Sequence, residues 1–216
     1  MSTIKHLLGS SPASSQLSNY LTEISSASAS TSALVPEVKS YPDAVYFNYH
    51  ALGLSLLFTP INGYKPKSGL SRNQLNEENL VLDGIDIYNM PQKPDSPDDS
   101  SDNRNKSATA PAYTTYPISP ITLAVSPESK DGTPLPSSIS IEPNTTGKDF
   151  LVMLGEPDRK GGGAGPSSGS IQIWLEWSKN GIMVEFGGDE SRGPQAWERG
   201  KDAVWKVLSI FQPKAE

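Results

Sequence analysis

The chain has 216 residues, a formal net charge of −6 at pH 7 and an apolar content of only 35%. One large or two small domains fit this length, and the 18 glycines and 19 prolines predict flexible segments around a compact α+β body. The acidic balance and the lack of a basic, aromatic cluster argue against a nucleic-acid partner. The absence of cysteine excludes disulfides and thiolate metal sites. Without an apolar run of signal-peptide or membrane-spanning length, we expect a cytoplasmic protein, with the nucleus as the alternative location.

The N-terminal region predicts one helix end followed by a flexible stretch. Residues 6–12, HLLGSSP, have an apolar turn, then Gly and Pro, which is how helices end. The segment that follows includes SSASASTSA, a composition that cannot bury enough side chain to order itself. We therefore expect residues 25–40 to be flexible.

Residues 45–58 predict the first β-hairpin. Apolar residues alternate in VYFNY and again in LSLLF, and the loop between them ends at Gly53. A glycine at that position suits a loop residue with positive φ. The segment LVLDGIDIYN predicts a third strand, which completes a first unit over residues 1–90.

A polar, Pro-rich segment over residues 91–112 lacks any apolar period and predicts a disordered linker. The second unit is expected over residues 113–216. It starts with short alternating runs in YPISPITLAVSPES and SISIEP, and the prolines limit the first run to an edge strand or an extended crossing.

The rest of the second unit repeats the order of the first. VMLGEP predicts a helix end, RKGGGAGPSSGS (residues 159–170) a loop insertion, and IQIWLEWSKNGIMVEF a second hairpin whose loop ends at Gly181. Residues 203–211, AVWKVLSIF, fit either a helix or a strand, and comparison with the first unit favours the strand. The predicted fold class is α+β, with two related units that each have a short helix, an antiparallel hairpin and a third strand, joined in one sheet.

The candidates for chemistry are weak, and we predict no catalytic, cofactor-binding or metal-binding residue. The glycines after Lys160 lead into a strand, whereas a phosphate loop enters a helix. His6 and His50 are far apart in sequence and are expected to be solvated or capping. Glu176 and Glu185 fall on one face of the second hairpin, which we expect to be solvated. The acidic residues of the linker lack the glycine and closing glutamate of a calcium loop; they are Asp95, Asp98, Asp99 and Asp102.

Aromatic residues are the more informative group. Tyr46 and Trp174 occupy equivalent outward positions in the two hairpins, where they either pack under a covering loop or form part of an interface. With Trp197 and Trp205 they form the predicted partner-binding set.

The hairpin YFNYHALGLSLLF resembles a stretch of the phagosome assembly factor family, whose eukaryotic members have tandem sheet-rich units and act with a β-propeller partner at autophagic membranes. LGEPDRKGGG and IWLEWSKNGIMVEF are similar to the helix, Leu-Gly-x-Pro and hairpin pattern of tandem β-lactamase inhibitors and outer-membrane assembly lipoproteins. These matches cover less than half of the chain. They imply a binding role and transfer no active-site residue.

Three functions remain open from the sequence. The leading one is a non-enzymatic protein-binding or adaptor module, which the resemblance links to autophagy or membrane trafficking. The second is a small-ligand-binding or hydrolytic domain with a cleft near the Gly-rich segment, lined by Trp174, Glu176 and Arg159. The third is an oligomeric structural protein joined through exposed strand edges.

Overall fold

The computed structural model describes residues 4–28, 34–90, 112–127, 132, 134–164 and 170–213. Its strands form one eight-stranded and one two-stranded antiparallel sheet. The strands are β1 (Glu37–Ser40), β2 (Val45–Tyr49), β3 (Leu54–Pro60), β4 (Leu80–Tyr88), β5 (Ile121–Ala124), β6 (Ser138–Ile141), β7 (Arg159–Ala164), β8 (Ser170–Trp177), β9 (Ile182–Phe186) and β10 (Trp205–Phe211). The α-helices are α1 (Ser15–Ala27), α2 (Gly147–Leu154) and α3 (Ala196–Arg199). Short 3₁₀ turns cover Ile4–Leu7, His50–Leu52, Arg72–Gln74, Glu77–Asn79, Ser178–Asn180, Asp189–Ser191 and Gly200–Asp202.

The large sheet contains both predicted hairpins. Its strand order is β1-β2-β3-β4-β10-β9-β8-β7, so the third strands β4 and β10 meet in the middle and β1 and β7 lie at the edges. The strands β5 and β6 form the small sheet. The prediction of a mixed α+β protein is thus confirmed, and residues 205–211 are a strand.

The two longer helices follow from local sequence signals. α1 begins at a Ser14 cap, whose hydroxyl accepts the Leu17 backbone N–H, and it buries Leu17, Leu21 and Ile24 at helical spacing. α2 begins at a capping box in which Asp149 and Thr146 bond reciprocally. The predicted helix end at residues 152–157 is confirmed, because α2 stops at Leu154.

One hydrophobic core lies between the sheet and the elements on one of its faces. The inward positions of both hairpins are buried, together with the apolar residues of α1, α2 and the small sheet. Phe150 of α2 packs against Trp177 and Phe186, with ring centroids 6.2 and 6.0 Å apart. Burial of aromatic and aliphatic side chains in this core is the main contribution to the stability of the fold.

Several sequence predictions are wrong near the sheet edges. Residues 25–27 continue α1 and residues 37–40 form β1, so the predicted flexible stretch over 25–40 is structured at both ends, while residues 29–33 lie outside the described part. Residues 159–164 form β7 and not a loop, because backbone pairing with β8 orders a glycine run that has no side-chain pattern of its own.

The helix end predicted at residues 6–12 is a 3₁₀ turn that precedes α1. The second Leu-Gly-Pro signal follows α2, so these two signals occupy different places relative to the helices. Of the predicted linker over residues 91–112, residues 91–111 lie outside the described residues. None of the described helices is both long enough and apolar enough to cross a membrane.

Candidate functional site

The face of the large sheet that points away from the core, called the outer face below, carries a continuous row of mostly polar side chains. Strand register places one residue from every strand of the sheet in this central row. In strand order the row contains Glu37, Asn48, Ser55, Asp86, Ser209, Met183, Glu176 and Arg159.

Hydrogen bonds connect neighbours within the central row. The Ser55 hydroxyl donates to Asn48 Oδ1 at 2.8 Å, and the Ser209 hydroxyl donates to Asp86 Oδ1 at 2.6 Å. Such cross-strand pairs hold polar side chains in fixed positions on a sheet face. The row is therefore a preorganised polar surface.

Tyr113, which follows the linker, lies across the outer face. Its ring stacks on Tyr88 with centroids 3.7 Å apart and planes within 6° of parallel, and it contacts the His50 ring at 4.4 Å. Two backbone hydrogen bonds hold the segment around Tyr113 against the sheet. The Thr114 N–H donates to the His50 carbonyl and the Tyr116 N–H donates to the Tyr88 carbonyl, each at 2.9 Å. This anchoring makes Tyr113 part of the sheet surface.

Two grooves lie beside the Tyr88–Tyr113 stack, and Asp86 lines both of them. The first groove, of about 530 Å³, is lined by Lys39, Tyr41, Asp43, Ala44, Tyr46, Asn48, Ser55, Asp86, Tyr88 and Tyr113. The second groove, of about 480 Å³, is lined by Asp86, Tyr88, Met90, Ala112, Tyr113, Met183, Glu185, Lys206, Val207 and Ser209. Both volumes lie within the range of ligand-binding clefts.

Asp86 is the electrostatically unusual residue of the outer face. Burial raises the pKa of its carboxyl group, the negative charge of Glu185 raises it further, and the Ser209 hydrogen bond acts in the opposite direction. Among the described residues no cation forms an ion pair with Asp86. Burial of a carboxylate without a neutralising cation costs free energy, and carboxyl groups with pKa values raised in this way are typical of functional sites.

We expect Asp86→Asn to raise the melting temperature at neutral pH by a few degrees. A raised pKa means that the folded protein binds the proton of Asp86 more tightly than the unfolded chain does. Ionisation of Asp86 therefore lowers the free energy of unfolding as pH rises through the folded pKa. Asparagine removes this cost and can still accept the Ser209 hydrogen bond. For a chain of this size about 1 kcal/mol corresponds to about 2–4 °C.

Thermal unfolding followed across a pH series tests this expectation. The advantage of Asp86→Asn should shrink as pH falls from the raised folded pKa towards 3.8, the ordinary pKa of an aspartate, and should be absent below it. Asp83→Asn is the matched control on the same strand, because Asp83 is exposed. A pH-independent gain, or an equal gain in the control, would contradict the assignment.

The structure places Tyr46 and Trp174 on the outer face, but four strands of the sheet separate them. Tyr46 lines the first groove and meets Tyr41 edge to face at 6.2 Å. Trp174 lies over the edge strand, where a Cβ at Gly161 would be only 2.5 Å from its ring, and Arg159 approaches the ring centroid to 5.9 Å. The half-buried indole of Trp174 thus covers β7.

The other two predicted residues do not join this surface. Trp197 is 45% exposed but lies on α3, in a small cleft of about 190 Å³ with Leu151 of α2 and Lys160. Trp205 is only 3% exposed, and its indole N–H donates to the Glu142 carbonyl at 2.8 Å. The prediction of a surface role for Trp205 is wrong, because its ring belongs to the core.

The remaining candidates also have defined places. His50 Nε2 lies 2.8 Å from Glu37 Oε2, whereas His6 is exposed on the first 3₁₀ turn. Glu176 faces Met183 as predicted but is only 5% exposed, not solvated, because Arg159 (3.2 Å) and Ser178 (2.6 Å) bond its carboxylate. No group of three or more potential metal ligands occurs among the described residues. The acidic residues of the linker lie outside them.

Sequence reasoning missed the residues at the centre of the grooves, namely Asp86, Tyr88 and Tyr113. Asp86 and Tyr88 did give a signal, since both fall at outward positions of a strand whose alternate residues are apolar. Tyr113 gave none, because its partner Tyr88 lies on the other side of the linker.

Comparison of the chain with protein-family models, with curated proteins and with solved structures gave no match.

Proposed function

We propose that the protein is a non-enzymatic protein-binding module that uses the outer face of its large sheet as the binding surface. The observation that carries this proposal is the pair of grooves around Tyr88 and Tyr113, set on a preorganised polar row that crosses the whole sheet. Tyrosine-rich surfaces with fixed polar groups are typical of protein interfaces, where aromatic side chains contribute much of the binding energy.

We propose also that the sheet consists of two related units. Gly53 and Gly181 have nearly the same backbone angles, φ 56°, ψ 39° and φ 60°, ψ 43°, and each closes a 3₁₀ turn between two strands. The third strands carry a bulge at matching places, beside Leu57/Phe58 in the first unit and between Trp205 and Val207 in the second. Duplication gives a single sheet twice as wide, and therefore a wider surface for a partner.

The alternative of a hydrolytic cleft near the Gly-rich strand has weaker support. That cleft would depend on Glu176, whose carboxylate is already engaged by Arg159 and Ser178. A general acid or base must reach the proton that it transfers. Asp86, in contrast, faces open grooves, which favours binding as the role of this face.

Site-specific photocross-linking tests the binding surface. The photoreactive analogue azidophenylalanine replaces Tyr46 in the first groove or, as a control, Val152, which is 72% exposed on α2. In extract from the native cell, we expect a protein adduct from position 46 and none from position 152. Adducts from position 152 alone, or equally from both positions, would contradict the assignment. Mass spectrometry of the adduct would show whether the partner is a β-propeller, the class that the resemblance implies.

A further inference from the structure

We propose that the first groove binds an arginine side chain of the partner, with Asp86 as the counter-ion and the surrounding tyrosines as aromatic walls. This inference rests on the proposed function of the outer face and specifies the chemistry of the partner residue that enters it.

The walls of the first groove suit a cation. Four tyrosines line it, namely Tyr41, Tyr46, Tyr88 and Tyr113. The electron-rich faces and hydroxyl groups of such side chains attract a positive charge, and this attraction grows when water is displaced from around it. No other groove among those described combines four aromatic side chains with a carboxylate floor.

Asp86 supplies the charge that an entering cation would neutralise. Ser209 bonds its Oδ1, while Oδ2 accepts no hydrogen bond within the described part of the chain. The nearby lysines form ion pairs with other carboxylates: Lys39 lies 3.5 Å from Glu37, and Lys206 lies 3.8 Å from Glu185. The carboxylate therefore keeps an open acceptor position that faces both grooves.

The first groove also has a net acidic character, with Asp43 and Asp86 against the single cation Lys39. Arginine fits this setting better than lysine does. Its planar guanidinium stacks on aromatic rings, loses hydration more readily than an ammonium, and presents a fork of N–H donors to a carboxylate. Entry of arginine would satisfy Asp86 and remove the electrostatic cost of its burial.

Titration of the full chain with small probes tests the proposal directly. N-acetyl-arginine amide is compared with its uncharged citrulline counterpart and with N-acetyl-lysine amide, and amide chemical shifts are recorded by NMR. We expect saturable shifts at Asp86, Tyr88 and Tyr113 with the arginine probe in the millimolar range, as suits a single isolated side chain. The citrulline probe should give none, and the lysine probe should bind more weakly.

Two variants identify the residue responsible. Asp86→Asn keeps the shape of the side chain and is expected to weaken arginine binding by about tenfold, the effect of losing a charge-assisted hydrogen bond. Asp83→Asn, outside the groove, is expected to leave it unchanged. Equal binding of citrulline or lysine, equal weakening by both variants, or no saturable shift would overturn the proposal. If cross-linking from position 46 persists when arginine does not bind, only this inference fails and the binding surface stands.

Discussion

Replacing Gly53 with alanine is expected to destabilise the protein by about 4 kcal/mol, because two separate costs combine at this position. The backbone of Gly53 has φ +56°, a conformation that side-chain-bearing residues rarely adopt. In addition, an added Cβ would lie 2.3 Å from the Thr114 carbonyl oxygen and 2.6 Å from the Tyr116 nitrogen. The segment that carries Tyr113 would have to move away from the sheet.

Thermal or urea unfolding measures this loss, and the arginine titration should show that binding in the first groove is lost with it. Gly69→Ala is the matched control, since Gly69 has φ +79° but open space around the position of a Cβ. It should lose only about 1 kcal/mol, the cost of the backbone conformation. Similar losses in the two variants would show that the close approach of residues 114–116 does not matter for stability.

The second large effect is expected at Trp205. Trp205→Ala removes a buried indole together with its hydrogen bond to the Glu142 carbonyl, which still accepts the Thr145 backbone N–H at 3.0 Å. Loss of a buried tryptophan costs about 3–5 kcal/mol. We expect the melting temperature to fall by roughly 10 °C or more.

Trp197→Ala tests the same substitution on an exposed residue. Because Trp197 is 45% exposed, we expect its loss to change the free energy of unfolding by less than about 1 kcal/mol. Differential scanning calorimetry of both variants distinguishes the core residue from the surface residue. If Trp205→Ala left the stability unchanged, the ring would not have the packing role that its burial indicates.

The contrast between these two tryptophans shows why part of the candidate site escaped prediction. Both follow the second hairpin in sequence, and an aromatic residue outside a clear alternation gives no sign of the face on which it will lie. Strand pairing decides this, since Trp205 sits beside Phe186 with a bulge immediately after it. Similarly, Asp86 and Tyr113 meet only because the chain returns over the first hairpin after the linker.

By itself the sequence determined the two hairpins, their glycine-closed turns, the end of α2 and the inward residues of the central strands. These features depend on the period of apolar residues and on turn chemistry, which act over a few neighbouring positions. Only the tertiary structure decided that a glycine run would become β7, that Trp205 would be internal, and that Asp86, Tyr88 and Tyr113 would frame two grooves. The physical reason is that edge strands and shared surfaces arise from backbone pairing and contacts between residues distant in the chain, which leave no local pattern in the sequence.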